Sequence, residues 1–294
     1  NNIYDNYPIG SEIPNNILYL QARVSSDKKN YPTYNIRNTS TTTYLIRNYD
    51  TYGITHYMIS DELLNESMPK MKLIHKIFTT LPFKMTFDCY ARLDLIHAFP
   101  EMRDMIQESG AISIAFGIET LNDKSGKKIG KGLGKQRVED TLNFCAETWK
   151  GKIITSSQFI IGLPEENEES MRNTLDWLTS NDCPLDIFGF LPLFIRHGND
   201  GRTSSRIDRD PQKFGFTINQ NKSWQGEHMT FQRACQLVSE FNNDPRVKNK
   251  TKFNAANWIG RILSLGYSIN DIFNLLNNES ITSNIILSEI NYKE

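Results

Sequence analysis

Short β-rich runs and amphipathic helical stretches alternate along the chain from Ile17 to Ile195. The strand candidates are Ile17–Val24, Thr55–Ser60, Met85–Leu93, Ala111–Glu119, Ile153–Gly162 and Asp186–Ile195. Several are almost continuously apolar, as strands covered on both faces should be. Helical patterns lie between them at Thr41–Tyr52, Met68–Thr80, Pro100–Ser109, Lys135–Lys150 and Glu169–Asn181. The third has Pro in its first turn and Gly110 just past its end, the punctuation a short helix needs. A strand–helix unit repeated in this way dictates a parallel sheet, and the predicted fold is α/β, a partial (β/α)6 TIM-like barrel. All strand C-termini then share one rim, where such folds keep their chemistry.

The flanks read differently. Residues 1–16 are irregular, with Pro8, Gly10 and Pro14. Residues 17–195 form the barrel, residues 196–223 read as a polar loop, and residues 224–294 as a helical C-terminal region with helices expected at Glu227–Asn242, Asn254–Leu265 and Ile269–Asn277. With 33 Lys+Arg against 34 Asp+Glu, bulk charge excludes a polyanion binder, so no nucleic-acid partner is expected. The longest apolar runs, Phe159–Leu163 and Ile187–Leu193, are too short to span a bilayer. The chain opens on Asn1 without a signal peptide, which suggests a processed or excised segment. Cys89, Cys145, Cys183 and Cys235 are far apart, with neither disulfide-framework nor CxxC spacing, as expected for a reducing, cytoplasmic setting.

The barrel reading directs attention to the residues just after each strand. Strand two is followed by Asp61 and Glu62, strand three by Arg92 and Asp94, and strand four ends on Gly117-Ile118-Glu119-Thr120. Strand five runs through Gln158, Ile160 and Gly162 to Glu165. Acids accept from hydroxyls and ammonium groups, an Arg forks onto a carboxylate, and glycines allow close approach of a ligand. Each has a structural alternative. Asp61 and Glu62 could cap the next element, Arg92 could pair with Asp88 or Asp94, and Gly162-Leu163-Pro164 could be only a turn. Glu119 follows an apolar strand with no obvious cation nearby in sequence.

Taken together, Phe116-Gly117-Ile118-Glu119-Thr120, Ile129-Gly130-Lys131-Gly132 and Phe159-Ile160-Ile161-Gly162-Leu163-Pro164, followed by Glu168-Glu169-Ser170, resemble the radical S-adenosylmethionine (SAM) superfamily. Tyr90-Ala91-Arg92-Leu93-Asp94-Leu95 and the run from Tyr52 to Asp61 fit the same template in order, over about residues 17–195. The similarity is strongest to the branch found beside cobalamin-binding domains, so an upstream cobalamin-binding domain in a longer parent chain is an implied partner. The resemblance implies that Asp61 and Glu62 hold the SAM amino group, that Glu119 holds the ribose hydroxyls, and that Arg92 meets the carboxylate. Ile160, Gly162 and Glu165 match the fifth-strand pattern beside adenine, with Gln158 in place of its first glycine.

The family also carries three cysteines spaced CxxxCxxC after strand one, which ligate a [4Fe–4S] cluster that cleaves SAM reductively to a 5′-deoxyadenosyl radical. Anchored on Tyr31-Pro32, those positions here are Ala22, Ser26 and Lys29. Ala has no donor, a Ser hydroxyl is a poor soft-metal ligand and Lys is cationic. The resemblance thus implies a radical SAM enzyme whose cluster ligands have been replaced. The alternative is a non-catalytic scaffold that retains the barrel. Among other motifs, Lys124–Lys135 does not fit a phosphate loop and reads as a solvated loop leading into a helix. The five histidines lack metal-ligand spacing.

Overall fold

A computed structural model of the 294-residue chain describes residues 17–20, 38–59, 63–196, 205–219, 223–251 and 267–277. Six parallel strands, β1 (Ile17–Leu20), β2 (His56–Ile59), β3 (Thr86–Ala91), β4 (Ala111–Glu119), β5 (Ile154–Ile161) and β6 (Ile187–Pro192), pair in sequence order. The outer strands β1 and β6 do not pair with each other, which leaves the partial barrel that the strand–helix rhythm predicts. The crossovers are α1 (Asn38–Tyr52), α2 (Met68–Thr79), then α3 (Leu93–Ala98) with α4 (Glu101–Glu108), then α5 (Asp123–Ile129) with α6 (Lys135–Trp149), and finally α7 (Glu168–Thr179).

Ring contacts identify the face of the sheet that the helices cover. Phe87 meets Phe78 of α2 edge-on at 5.4 Å between centroids, and Phe116 stacks on Trp149 of α6 at 6.4 Å. The helix-facing residues of β3, namely Phe87, Cys89 and Ala91, are all buried. Side chains alternate along a strand, so Asp88 and Tyr90 face the concave side. Register carries that face across the sheet: Asp88 opposes Met58 and Ser113, Ala115 opposes Ser156, and Gln158 and Ile160 oppose Gly189 and Leu191. Tyr90 and Leu191 are exposed there, so the concave face is a solvent-reachable lumen.

The expected strands are present; β3, β5 and β6 have fewer residues at their ends, while residues 21–24 and Ser60 lie outside the described residues. Within the barrel, two helices were not anticipated. α3 follows strand three because Leu93 and Ile96 turn into the core, and the buried Asn65 amide bonds both Arg92 N–H (2.7 Å) and Arg92 C=O (2.9 Å), which ends the strand there. α5 replaces the solvated loop expected at 124–135. Asn122 caps it through the N–H groups of Lys124 and Ser125, and Gly130 closes it in the left-handed conformation.

The stretch expected as a polar loop also holds structure: a helical turn α8 (Arg206–Arg209), a 3-10 turn Gln212–Phe214 and a strand β7 (Thr217–Ile218). β7 pairs antiparallel with β8 (Trp224–Gln225), so the following region begins with a hairpin strand rather than a helix. Then come α9 (Phe231–Asn242), α10 (Pro245–Lys250) and α11 (Ile269–Asn277). The expected helix Asn254–Leu265 lies outside the described residues, as do residues 1–16. α9 packs on β6, with Phe241 against Phe190 at 5.1 Å. The Asn242 side chain bonds both backbone groups of Phe190 and so blocks the free edge of β6 at that point.

Candidate active site

The fourth strand supplies the most unusual piece of the rim. Its pairing with β5 shifts between Phe116 and Glu119, and Glu119 ends the strand at φ 69°, a conformation that non-glycine residues adopt only when their surroundings enforce it. The enforcing contacts are local. Thr120 N–H bonds Ile118 C=O at 2.9 Å, and the Thr120 hydroxyl donates to the buried carboxylate of Glu166.

The short helix α5 and the turn that follows it bring two lysines, Lys128 and Lys131, to this corner. Lys131 Nζ donates to Gly117 C=O at 2.8 Å and lies 3.5 Å from Glu119 Oε1. A Cβ on Gly117 would stand 3.0 Å from that ammonium and 3.3 Å from Glu119 Oε1, so glycine is what lets the two meet over the strand end. The cation that sequence distance concealed is therefore twelve residues downstream of Glu119, brought back by a helical turn. Lys128 Nζ bonds Glu165 Oε1 at 2.5 Å and holds that carboxyl below its ordinary range. Glu165 is itself at φ 66°, so both rim acids sit on left-handed backbone.

Between them, Glu166 is buried and accepts from the hydroxyls of Thr120 and Ser170, the latter at 2.5 Å. Burial pushes its carboxyl up, against the two hydrogen bonds. Glu166 was not singled out in the sequence, because an adjacent Glu165-Glu166 pair gives no hint of which acid turns inward.

At the end of β5, Gly162 has φ 95°, and a Cβ there would stand 2.4 Å from Trp224 Cη2. The close approach that the structure shows at Gly162 is to an indole. The Trp224 ring is buried and anchored by Nε1–H to Leu193 C=O at 2.7 Å. A small cleft of about 20 Å³ remains beside it, room for about one water, bordered by Lys128, Glu165, Glu166, Trp224 and His228. Ile160 lies half-buried on the lumen face next to Gln158.

Arg92 takes the structural alternative: its guanidinium forks onto Asp94, with Nε to Oδ1 at 2.9 Å. Burial raises the Asp94 carboxyl, yet Arg92, together with the nearby charge of Lys131, holds it below the usual carboxylate range. Asp61, Glu62, Ala22, Ser26 and Lys29 lie outside the described residues. The structure therefore brings Glu119, Glu165 and Glu166 together through Lys128, Lys131 and Thr120, and Arg92 stands with Asp94 on the neighbouring strand end.

No protein-family model matches the chain. Among curated proteins it is 27% identical over 95 residues to the bacteriochlorophyllide d C-12(1)-methyltransferase of Chlorobaculum tepidum, a match covering 32% of this chain and 20% of that protein. It is also 27% identical over 103 residues to the ribosomal protein uS12 methylthiotransferase RimO of Pseudomonas putida, covering 34% of this chain and 23% of RimO. Among solved structures, the radical SAM methyltransferase TsrM from Kitasatospora setae, with cobalamin and a [4Fe–4S] cluster bound, superposes with a TM-score of 0.52 at 14% identity. That likeness covers 77% of this chain and 51% of TsrM. The chain has the radical SAM fold. A second TsrM structure, with tryptophan and a SAM analogue bound, gives the same TM-score at 13% identity and covers 86% of this chain and 56% of TsrM.

The radical SAM cluster does not fit the residues present. The three positions after strand one offer no thiolate. Cys89, Cys145 and Cys183 are buried apart in the core and Cys235 is half-buried on α9. Burial raises their thiols, Cys183 to about 11 and Cys145 to about 12, which disfavours the ligating form. Among the described residues no three His, Cys, Asp or Glu side chains converge on a metal position, and no helix is long and apolar enough to cross a membrane.

Proposed function

We propose that this chain binds SAM at the C-terminal end of β4, with Glu119 taking the ribose hydroxyls, and that it does not itself start radical chemistry. The observation that carries the reading is the state of Glu119. Its side chain keeps 25% of its surface exposed on a backbone conformation held by the Thr120–Glu166 bond, and among the described residues its carboxylate meets only Lys131, at 3.5 Å. A carboxylate fixed at a strand end with acceptor capacity to spare suits a vicinal diol, whose two hydroxyls donate to it.

The other contacts follow from their surroundings. Arg92 can take the SAM carboxylate by leaving Asp94, an exchange that is inexpensive because both side chains are about half exposed and such pairs are worth roughly 0–1 kcal/mol. Asp61 and Glu62 remain the acceptors proposed for the amino group. Ile160 offers adenine an apolar wall from the lumen face, whereas Gly162 serves Trp224 instead and Glu165 is engaged by Lys128. A cobalamin-binding domain in a longer parent chain is the proposed partner, supported by the cobalamin in TsrM. We place the protein in the cytoplasm on its widely spaced free thiols. Reductive cleavage of SAM needs cluster thiolates that Ala22, Ser26 and Lys29 do not provide.

One observation favours a second reading, a scaffold that has lost SAM: Gly162, which the resemblance sets beside adenine, is packed against Trp224 and Ala234. Calorimetric titration with SAM separates the two. Saturable heat that Glu119→Ala abolishes supports SAM binding; silence in both proteins supports the scaffold.

A further inference from the structure

The lumen of the barrel contains a polar cluster outside the rim. His56 begins β2, and Thr86 and Asp88 lie opposite it on β3. His56 Nδ1 is 3.0 Å from Thr86 Oγ1, and His56 Nε2 is 3.3 Å from Asp88 Oδ2. His56 is buried at 7% exposure, while the Asp88 side chain retains 14%. A single tautomer of a neutral imidazole satisfies all but one of these atoms: Thr86 O–H donates to Nδ1, and Nε2–H donates to Asp88. The atom left over is Asp88 Oδ1, which is buried and has no hydrogen-bond partner.

Leaving a carboxylate oxygen buried and unbonded costs more than leaving a neutral acceptor so, and native proteins rarely tolerate it without a water or ligand to fill the place. Among the described residues the one basic side chain in contact with Asp88 is His56, and it meets Oδ2. On the lumen face Asp88 is flanked by Met58, Tyr90 and Ser113, and among the described residues that face carries no lysine or arginine. His56 engages Oδ2 only, which leaves Oδ1 of Asp88 without a partner on the wall of a solvent-reachable lumen.

We propose that Asp88 is a binding site for a cationic N–H group of a ligand, an ammonium or amidinium, that enters the lumen and bonds Oδ1, with His56 and Thr86 holding the carboxylate in orientation. Met58, directly across the strand pair, is an unbranched side chain in partial contact with solvent and can move to admit such a group. The site is independent of SAM at the rim, since none of its three residues belongs to the Glu119 corner.

The test is a titration of the full chain, labelled with 13C at Asp carboxyls and 15N at His rings, with ethylammonium chloride at constant ionic strength. The expected result is a saturable shift of the Asp88 carboxyl and His56 ring signals. Tetramethylammonium, which has the charge and no N–H, and propanol, which is neutral, should produce a response at least tenfold weaker. Asp88→Asn should abolish the response, and Glu119→Gln should leave it intact, which separates this site from the rim. Because Asp88→Asn could unfold the chain, the wild-type comparison of the three probes stands alone. No saturable shift with ethylammonium, or an equal shift with tetramethylammonium, overturns the proposal.

Discussion

Trp224 stands where a side chain on Gly162 would be, its Cη2 2.4 Å from an ideal Cβ. The contact joins the end of the fifth strand to the hairpin that follows the barrel, and it gives the glycine a packing role. Gly162→Ala must both displace the indole and hold an L-residue at φ 95°. Left-handed strain costs roughly 1–2 kcal/mol and overpacking about 1–3 kcal/mol. Urea unfolding of Gly162→Ala should therefore show a loss of at least ~2 kcal/mol; a loss below ~0.5 kcal/mol would show that the indole moves aside freely.

Trp224→Ala makes the complementary test. Removing a fully buried Trp costs about 3–5 kcal/mol, and the Nε1–H bond to Leu193 goes with it. If the indole occludes the adenine side, this variant, measured below its melting temperature, should bind SAM more tightly than the parent. Unchanged or weaker binding by a folded Trp224→Ala would mean that adenine lies elsewhere.

Asn65→Ala tests the clamp that ends the third strand. The substitution strips both backbone groups of Arg92 of their partner in a partly buried setting. An unmet buried group costs about 1–3 kcal/mol, so a shift of the urea midpoint equal to about 2 kcal/mol or more is expected, with an unchanged slope.

The barrel was legible from the strand–helix rhythm because several covered strands are nearly unbroken apolar runs, as in Ala111–Glu119 and Ile187–Pro192. The contents of the rim were less so. Lys131 and Glu119 are separated by a seven-residue helix whose Ser, Gly and Lys content has weak intrinsic preference, and only the Asn122 cap and the Gly130 stop make it helical. Trp224 over Gly162 depends on a hairpin closing sixty-two residues later, and no local pattern encodes such a contact. Arg92 illustrates the limit of motif reading. Both of its offered partners were charged neighbours, and the side chain chose Asp94, two residues away.

Glu166 carries a pH prediction. Its folded-state carboxyl is raised above the ordinary value of 4.5 by burial. The folded state therefore binds its proton more readily than the unfolded state does. The resulting stability is fully present below pH about 4.5 and is lost as pH rises through the folded value. Glu166→Gln should remove this downward slope, so the variant gains on the parent as pH rises; parallel stability curves for the two proteins would contradict the assignment.

Glu165 behaves in the opposite sense. Lys128 lowers its carboxyl, so the pair contributes above the unfolded value of 4.5 and is lost as pH falls through the folded one. Both side chains are about one third exposed, which limits the pair to no more than about 1 kcal/mol. Glu165→Gln should lose that increment near neutral pH in low salt and almost none in 1 M salt, where the screening length falls to about 3 Å.

The most direct measurement is the affinity of the wild type and of Glu119→Gln for SAM and for its 2′,3′-dideoxy analogue. A hydrogen bond to a charged group is worth about 1.5–3 kcal/mol, so the wild type should prefer SAM by at least tenfold, and Glu119→Gln should bind both ligands weakly and alike. Equal affinity of the wild type for the two ligands, or a preference that survives in Glu119→Gln, would contradict the assignment of Glu119 to the ribose.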